Sequence, residues 1–288
     1  MRWSQPAVSP DGNSLVAVQR QYAFSDLYLV DAAGHVPRQL THDASTTVEL
    51  NHWALYPRFA PDGTLYFNYD PKDYYNNYNV VMAVWSMPSG GGTMHRWTTP
   101  NGYTGGDVQP APLASGGVIY TKYAFDPATN RILAQLWLTT KAGLAGRALT
   151  EARDDCSQPD LSPDGRRLAM ICTGGAQLTS IQVAPFDGAN LGPRVTLVSG
   201  RLAAQGVTGH FQLWLQKLPQ PTPPPSAPPS PLATRPAAPP RGARVASPTP
   251  TATLAPVSPS ASPTPLPSPV QLTTNLDFDA TSTIAWHS

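Results

Sequence analysis

A chain of 288 residues carries 13% charged residues and a formal net charge of +1. That balance sets up no broad field to recruit nucleic acid or an anionic membrane surface. With 34 prolines and 22 glycines it is far richer in turn formers than ordinary globular sequences, and it has no run of eighteen apolar residues to form a membrane-spanning helix.

The first unit reads Gln5-Pro6-Ala-Val-Ser9-Pro10-Asp11-Gly12, then Ser14–Val18, Asp26–Asp31 and Arg38–Thr41. Each apolar piece has strand length and is bounded by turn formers. The second unit follows as Tyr56-Pro57-Arg-Phe-Ala60-Pro61-Asp62-Gly63, Thr64–Phe67, Ala83–Met87 and Arg96–Thr98. The third is worn at its turn, Gln109-Pro110-Ala-Pro-Leu-Ala-Ser115-Gly116-Gly117, but recovers with Val118–Thr121, Gln135–Leu138 and Arg147–Thr150. The fourth opens on Cys156 and carries Ser162-Pro163-Asp164-Gly165, then Ser180–Val183 and Arg194–Leu197. In each complete turn the proline presets φ, the aspartate bonds back to the local backbone and the glycine takes the left-handed conformation. Asp11, Gly12, Asp62, Gly63, Asp164 and Gly165 are therefore read as structural turn residues, and no metal role is assigned to them.

The opening prolines, Pro6, Pro57, Pro110 and Pro159, are 51, 53 and 49 residues apart. Four short strands in a period near fifty residues predict an all-β propeller of four-stranded blades. A fifth unit is incomplete: Phe211–Leu218 matches a third strand and Val270–Thr273 a fourth, with no Pro-Asp-Gly hairpin ahead of them. Between those pieces, residues 219–269 hold 19 of the 34 prolines and no aromatic or acidic residue. Such a segment cannot bury apolar surface, and its composition predicts an extended, disordered linker. The chain divides accordingly into 1–218, 219–269 and 270–288, the last ending in the start of a sixth unit.

The recurring Gln-Pro-x-x-Ser-Pro-Asp-Gly phrase, with Leu-Tyr-Leu-Val-Asp or Leu-Trp-Leu and then Arg-x-Leu-Thr, resembles the WD40-like Pro-Asp repeats of TolB-like propellers over residues 4–218 and 270–286. That resemblance implies a nominally six-bladed propeller in a periplasmic or cell-surface protein, often serving as a protein-binding module. Similar repeats also form the propeller of prolyl-oligopeptidase-type peptidases and some polysaccharide lyases. This chain departs from the pattern in its fifth unit and in its incomplete sixth.

Cys156 and Cys172 lie eight residues either side of position 164, so a hairpin centred there sets them opposite one another. A bridge would close a short loop and contribute about 3 kcal/mol. The alternative is two small buried apolar residues; the symmetric placement favours the disulfide and an oxidising compartment. No signal peptide precedes the first repeat, which leaves a cytoplasmic protein or a fragment without its export segment as the expectation.

Catalytic signatures are missing from the sequence. It has no Gly-x-Ser-x-Gly elbow, no Gly-x-x-x-x-Gly-Lys loop, no His-x-x-x-His pair and no Cys-x-x-Cys pair. No cofactor and no enzymatic activity is expected. Propeller topology sends the second-to-third loops and the blade-to-blade connections to one end, where aromatics gather. His52, Trp53, Tyr74, Tyr75, Asn76, Tyr78, Tyr103 and Tyr123 are the candidate binding residues there, Tyr74–Asn79 foremost, with Phe125, Asp126, Asp154 and Asp155 nearby. Tyrosine and tryptophan beside asparagine and aspartate suit a protein hot spot or stacking on a sugar ring. The other reading has these tyrosines capping the core. The expected function is a non-catalytic scaffold that binds a protein or saccharide; the alternative is an accessory propeller of a peptidase or lyase.

Overall fold

A computed structural model describes residues 2–31, 37–43, 52–70, 81–100, 106–174, 179–200, 214–215 and 270–271. Four antiparallel four-stranded sheets follow one another along the chain. Blade 1 comprises β1 (Arg2–Val8), β2 (Ser14–Arg20), β3 (Ser25–Asp31) and β4 (Arg38–Gln39). Blade 2 comprises β5 (Ala54–Phe59), β6 (Leu65–Tyr69), β7 (Ala83–Met87) and β8 (His95–Arg96). Blade 3 comprises β9 (Asp107–Pro112), β10 (Val118–Asp126), β11 (Arg131–Thr139) and β12 (Arg147–Ala148). Blade 4 comprises β13 (Cys156–Leu161), β14 (Arg167–Cys172), β15 (Thr179–Pro185) and β16 (Val195–Gly200). In each sheet the strands are ordered as they occur in the chain, the first strands of successive blades meet one another, and the protein is an all-β propeller. A second compact unit, Gln212–Leu276, contains the antiparallel pair β17 (Trp214–Leu215) and β18 (Val270–Gln271). The expected disordered linker, 219–269, lies outside the described residues, as do the rest of the fifth unit and the sixth.

Alternating side chains on each sheet supply two cores, one on each face. Leu65 and Phe67 point toward blade 1 and pack with Val16, Val18 and Leu27. Tyr66 and Val84 point the other way and meet Val118 and Tyr120 of blade 3. Ile119, Leu136 and Leu138 then meet Leu168, Met170 and Ala184 of blade 4. Burying a side chain such as Phe67 stabilises by roughly 2–3 kcal/mol, so these inter-blade layers dominate the energetics.

The Pro-Asp-Gly turns close as the repeat predicts. The Gly12, Gly63 and Gly165 N–H groups donate to the carbonyls of Ser9, Ala60 and Ser162 at 2.9, 2.9 and 2.7 Å, with φ of 70°, 85° and 67°. The aspartates accept from the backbone two residues on: Asn13 to Asp11, Thr64 to Asp62 and Arg166 to Asp164, at 3.1, 2.9 and 3.1 Å. Hydrogen bonds from Ser9 and Ser162 and from these N–H groups hold the Asp11 and Asp164 carboxyls below the usual range. In blade 3 Ser115 replaces the aspartate, yet Gly116 still donates to Leu113 at 3.0 Å.

Two strand expectations are corrected. The fourth strands of blades 1 to 3 are only two residues long, because the motif threonine ends each by bonding sideways. Thr41, Thr98 and Thr150 present their Oγ1 to the N–H of Leu27, Val84 and Leu136, each at 3.0 Å. The β10–β11 hairpin is longer than Val118–Thr121 and Gln135–Leu138, since Tyr123, Ala124 and Phe125 pair with Ala134, Leu133 and Ile132.

One bulge recurs in every first strand. Gln5, Tyr56, Gln109 and Gln158 each precede the repeat proline and each adopt positive φ, from 49° to 56°. The pairing register slips at the same place in all four hairpins. This conformation is uncommon for residues other than glycine and costs on the order of 1 kcal/mol or more. What it yields is an N–H turned toward the preceding blade. The Gln5 side-chain oxygen of blade 1 accepts the Tyr56 N–H of blade 2 at 2.6 Å. Gln109 of blade 3 likewise accepts the Gln158 N–H of blade 4 at 3.1 Å. Between them Tyr56 has no amide to offer, and buried Asn68 on β6 accepts the Gln109 N–H at 2.7 Å.

Candidate functional site

The aromatic end of the propeller is built where β2 turns into β3, where β10 turns into β11 and where one blade passes to the next. Tyr74, Tyr75, Asn76, Tyr78 and Tyr103 lie outside the described residues. His52 is buried, so its expected place as a solvent-facing contact is corrected. Its ring stacks on Tyr69 with centroids 5.3 Å apart, and its Nδ1 lies 3.1 Å from the Asp70 carbonyl oxygen. Trp53 is half-buried, with the Arg20 guanidinium 5.4 Å above its ring. Tyr123 belongs to β10 rather than to a loop; half-buried, its phenol has a pKa raised by desolvation.

Beneath this end, blades 1 and 2 share a buried carboxylate network. Asp26 and Asp43 are almost inaccessible to solvent. Asp26 accepts from the Thr41 hydroxyl at 2.9 Å, the Asp43 N–H at 2.8 Å and the Gln39 amide at 3.0 Å. Asp43 accepts from the Tyr69 hydroxyl at 2.6 Å, while its Oδ2 has no hydrogen-bond partner among the described residues. Burial pushes the Asp43 carboxyl up to about 7, and the charge of Asp26 adds to the rise. The same burial, with Asp43 beside it, pushes the Tyr69 phenol up. Chemically the network can store a proton and fix the entry to β5. Among the described residues no group of three or more His, Cys, Asp or Glu side chains could hold a metal ion.

The loop end also carries exposed apolar side chains that periodicity alone did not single out. Tyr22, in the β2–β3 turn, is fully exposed. Phe125 and Ile132, directly opposed at the tip of the β10–β11 hairpin, are 52% and 49% exposed. The signal for Tyr22 lay in the repeat: it occupies in blade 1 the same second-to-third loop that carries the tyrosines of blade 2. Asp43 gave no comparable signal, because its burial comes from packing across two blades.

Asp154 and Asp155 form the entry to blade 4. Asp155, at φ 48°, accepts the Ala134 N–H at 2.8 Å and the Thr173 hydroxyl, and Asp154 pairs with Arg194 at 2.8 Å. Their carboxylates serve the blade 3–blade 4 connection. Next to them Cys156 and Cys172, directly opposed with Cα atoms 4.0 Å apart, are joined in a disulfide.

These features define a propeller whose blades are fastened at their inner strands and whose loop end carries exposed aromatic and aliphatic side chains. No protein-family model and no curated protein sequence matches the chain. Among solved structures it resembles TolB from Acinetobacter baumannii, with a TM-score of 0.52 at 16% identity over 70% of this chain and 44% of that one. It also resembles a puromycin hydrolase, with a TM-score of 0.50 at 16% identity over 69% of this chain and 33% of that one. A TolB candidate from Agrobacterium tumefaciens superposes with a TM-score of 0.47 at 18% identity, covering 66% and 60% of the two chains. The chain thus spans less than two thirds of each of these proteins. The fold is structurally similar to the TolB propeller, and at such identities the likeness speaks to the fold.

Proposed function

We propose that the protein is a non-catalytic propeller scaffold that binds a protein partner at its loop end, in an oxidising, extracytoplasmic compartment. The observation that carries this reading is the exposure of Tyr22, Phe125 and Ile132 at the end that also carries Trp53, with the Arg20 guanidinium over its ring. Exposed aromatics over a rigid, hydrogen-bonded base suit a hot spot, because little side-chain freedom is lost on docking. The directly opposed Phe125–Ile132 pair favours a protein over a saccharide, since an aliphatic side chain gives a sugar ring no stacking surface. The Cys156–Cys172 disulfide supports the compartment, as such bridges persist where thiols are not kept reduced.

The test compares wild type with Tyr22→Ala and Phe125→Asp in pull-downs from cell-envelope extract and on a glycan array. Truncating a hot-spot residue costs about 2 kcal/mol, so a partner captured by wild type should be retained roughly 30-fold less well at an unchanged melting temperature. Glycan signal abolished by the same variants would replace the protein partner with a saccharide. Binding indifferent to both variants would remove this end as the site.

A further inference from the structure

Blades 1 and 2 meet at a short hydrogen-bonded seam between the start of β3 and the entry to β5. The Ser25 N–H donates to the His52 carbonyl at 3.3 Å. The Ser25 hydroxyl donates to the Ala54 carbonyl at 2.8 Å and accepts the Ala54 N–H at 3.1 Å. From the other side, the Asp70 N–H donates to the Trp53 carbonyl at 3.1 Å. Trp53, with Arg20 over its ring, is held in place by this seam.

Asp43 ties the seam together from behind. Its carbonyl accepts the His52 N–H at 3.1 Å, and its own N–H donates to Asp26, the residue after Ser25, at 2.8 Å. Its carboxyl accepts from Tyr69, whose ring stacks on His52. One residue therefore joins β3, the entry to β5 and the end of β6. The two carboxyls, both almost inaccessible to solvent, lie within hydrogen-bonding reach of one another. Among the described residues, the titratable groups around the pair are Tyr28 on β3, His52 at the entry to β5, Tyr69 at the end of β6 and Asp70 just beyond it. Among the same residues no arginine or lysine pairs with either carboxylate. Two adjacent carboxyls shielded from water and without a cation cannot both stay ionised at little cost, so the closed seam favours one shared proton.

We propose that the Asp26–Asp43 pair is a proton-operated catch on the blade 1–blade 2 seam: closed, the pair shares one proton; opening delivers the Asp43 carboxyl to water, releases that proton and frees the entry to β5 with Trp53. Acid holds the catch shut, and rising pH favours opening. The closed-state carboxyl of Asp43, pushed up to about 7, sets the upper end of the range over which opening releases a proton. A pH-dependent partner surface follows only if Trp53 belongs to the binding end proposed above; the catch itself does not rest on that reading.

Amide hydrogen exchange of the full chain from pH 5 to pH 9, corrected for the intrinsic rate, tests the catch. The opening constant reported by the His52 and Ser25 N–H groups should rise about tenfold for each pH unit up to about 7, then level off, because one proton is released on opening. The Leu136 N–H of blade 3 serves as the reference and should not follow. Asp43→Asn keeps an oxygen for Tyr69 and cannot ionise, so its profile should be flat. Asp26→Asn removes the neighbouring charge and should move the levelling point to lower pH; Tyr69→Phe removes the donor that favours the ionised form and should move it to higher pH. A flat wild-type profile overturns the proposal. So does a pH response that survives Asp43→Asn, which would assign the titration to His52 or another group, and so does a response shared equally by Leu136, which would be global unfolding. Levelling points that fail to move apart in Asp26→Asn and Tyr69→Phe also overturn it. Partner capture followed over the same pH range is a separate arm: an intact exchange response with capture indifferent to pH supports the catch and removes Trp53 from the binding surface.

Discussion

At the scale of the residue, two positions concentrate the consequences of packing. Asp43 titrates from a folded-state value near 7, against 3.8 in the unfolded chain, because burial disfavours its charge. A raised carboxyl contributes stability that is full below the unfolded value and is lost as pH rises through the folded one. Stability should therefore fall as pH rises from about 4 to 7, by about 1.4 kcal/mol for each unit of displacement. Asp43→Asn keeps an oxygen for the Tyr69 hydroxyl and cannot ionise. Urea denaturation at pH 5 and pH 8 should show the variant losing at least 1 kcal/mol less than wild type between them; equal losses would place the titration elsewhere. Gly106 is the second position. It has φ of +85°, and a Cβ there would lie 2.3 Å from the Met82 carbonyl oxygen. Gly106→Ala must move backbone and should cost about 2 kcal/mol or more, whereas Gly12→Ala, at φ +70° with open space around it, should cost about 1 kcal/mol. Similar midpoints for the two in the same denaturation assay would contradict this contrast.

At the scale of the element, the hairpin turn, the short fourth strand and the disulfide share one logic: a side chain takes over where the ladder stops. Thr150→Val is nearly isosteric and leaves the Leu136 N–H without its acceptor at a buried site, so it should destabilise by about 1–2 kcal/mol, measured as a lower denaturation midpoint at constant m-value. The bridge between Cys156 and Cys172 makes a second element-level prediction. Thiol titration of the unreduced protein under denaturing conditions should find no free thiol, and reduction should lower stability by about 3 kcal/mol. Two reactive thiols before reduction would contradict the bridge. Much at this level was legible in the chain itself. The turns announced themselves through Pro, Asp and Gly at fixed offsets, and counting outward from Asp164 placed the cysteines opposite one another. The shortness of β4, β8 and β12 was not legible, because Arg-x-Leu-Thr has strand composition and only the sideways bond of its threonine ends the ladder. Nor was the burial of His52, which depends on Tyr69 arriving from β6 to stack on it.

At the scale of the whole molecule, the period near fifty residues made the architecture readable, while the fastening between blades was hidden. The Gln-Pro phrase reads as a strand opening; its function as a latch requires two copies of the repeat to be set side by side in space. The latches differ in redundancy, and this fixes the last prediction. The Gln158 N–H has two acceptors, Gln109 Oε1 and Thr121 Oγ1, both at 3.1 Å. The Gln109 N–H has the Asn68 oxygen at 2.7 Å, and the Asn68 amide in turn donates to the Asp107 and Ala83 carbonyls at 2.9 and 3.3 Å. Asn68 is wholly buried, so Asn68→Ala strands the Gln109 N–H and the Asp107 carbonyl away from water and leaves a cavity between blades 2 and 3. Each buried group left unpaired costs roughly 1–3 kcal/mol, so this substitution should cost about 3 kcal/mol or more, against about 1 kcal/mol for Gln109→Ala, where Thr121 remains to accept. Because every blade shares a core with its neighbour, both losses should register as a shift of one cooperative transition. Equal costs for the two variants in urea denaturation would contradict this difference in redundancy, and negligible costs for both would show that the blades are held by their apolar layers alone.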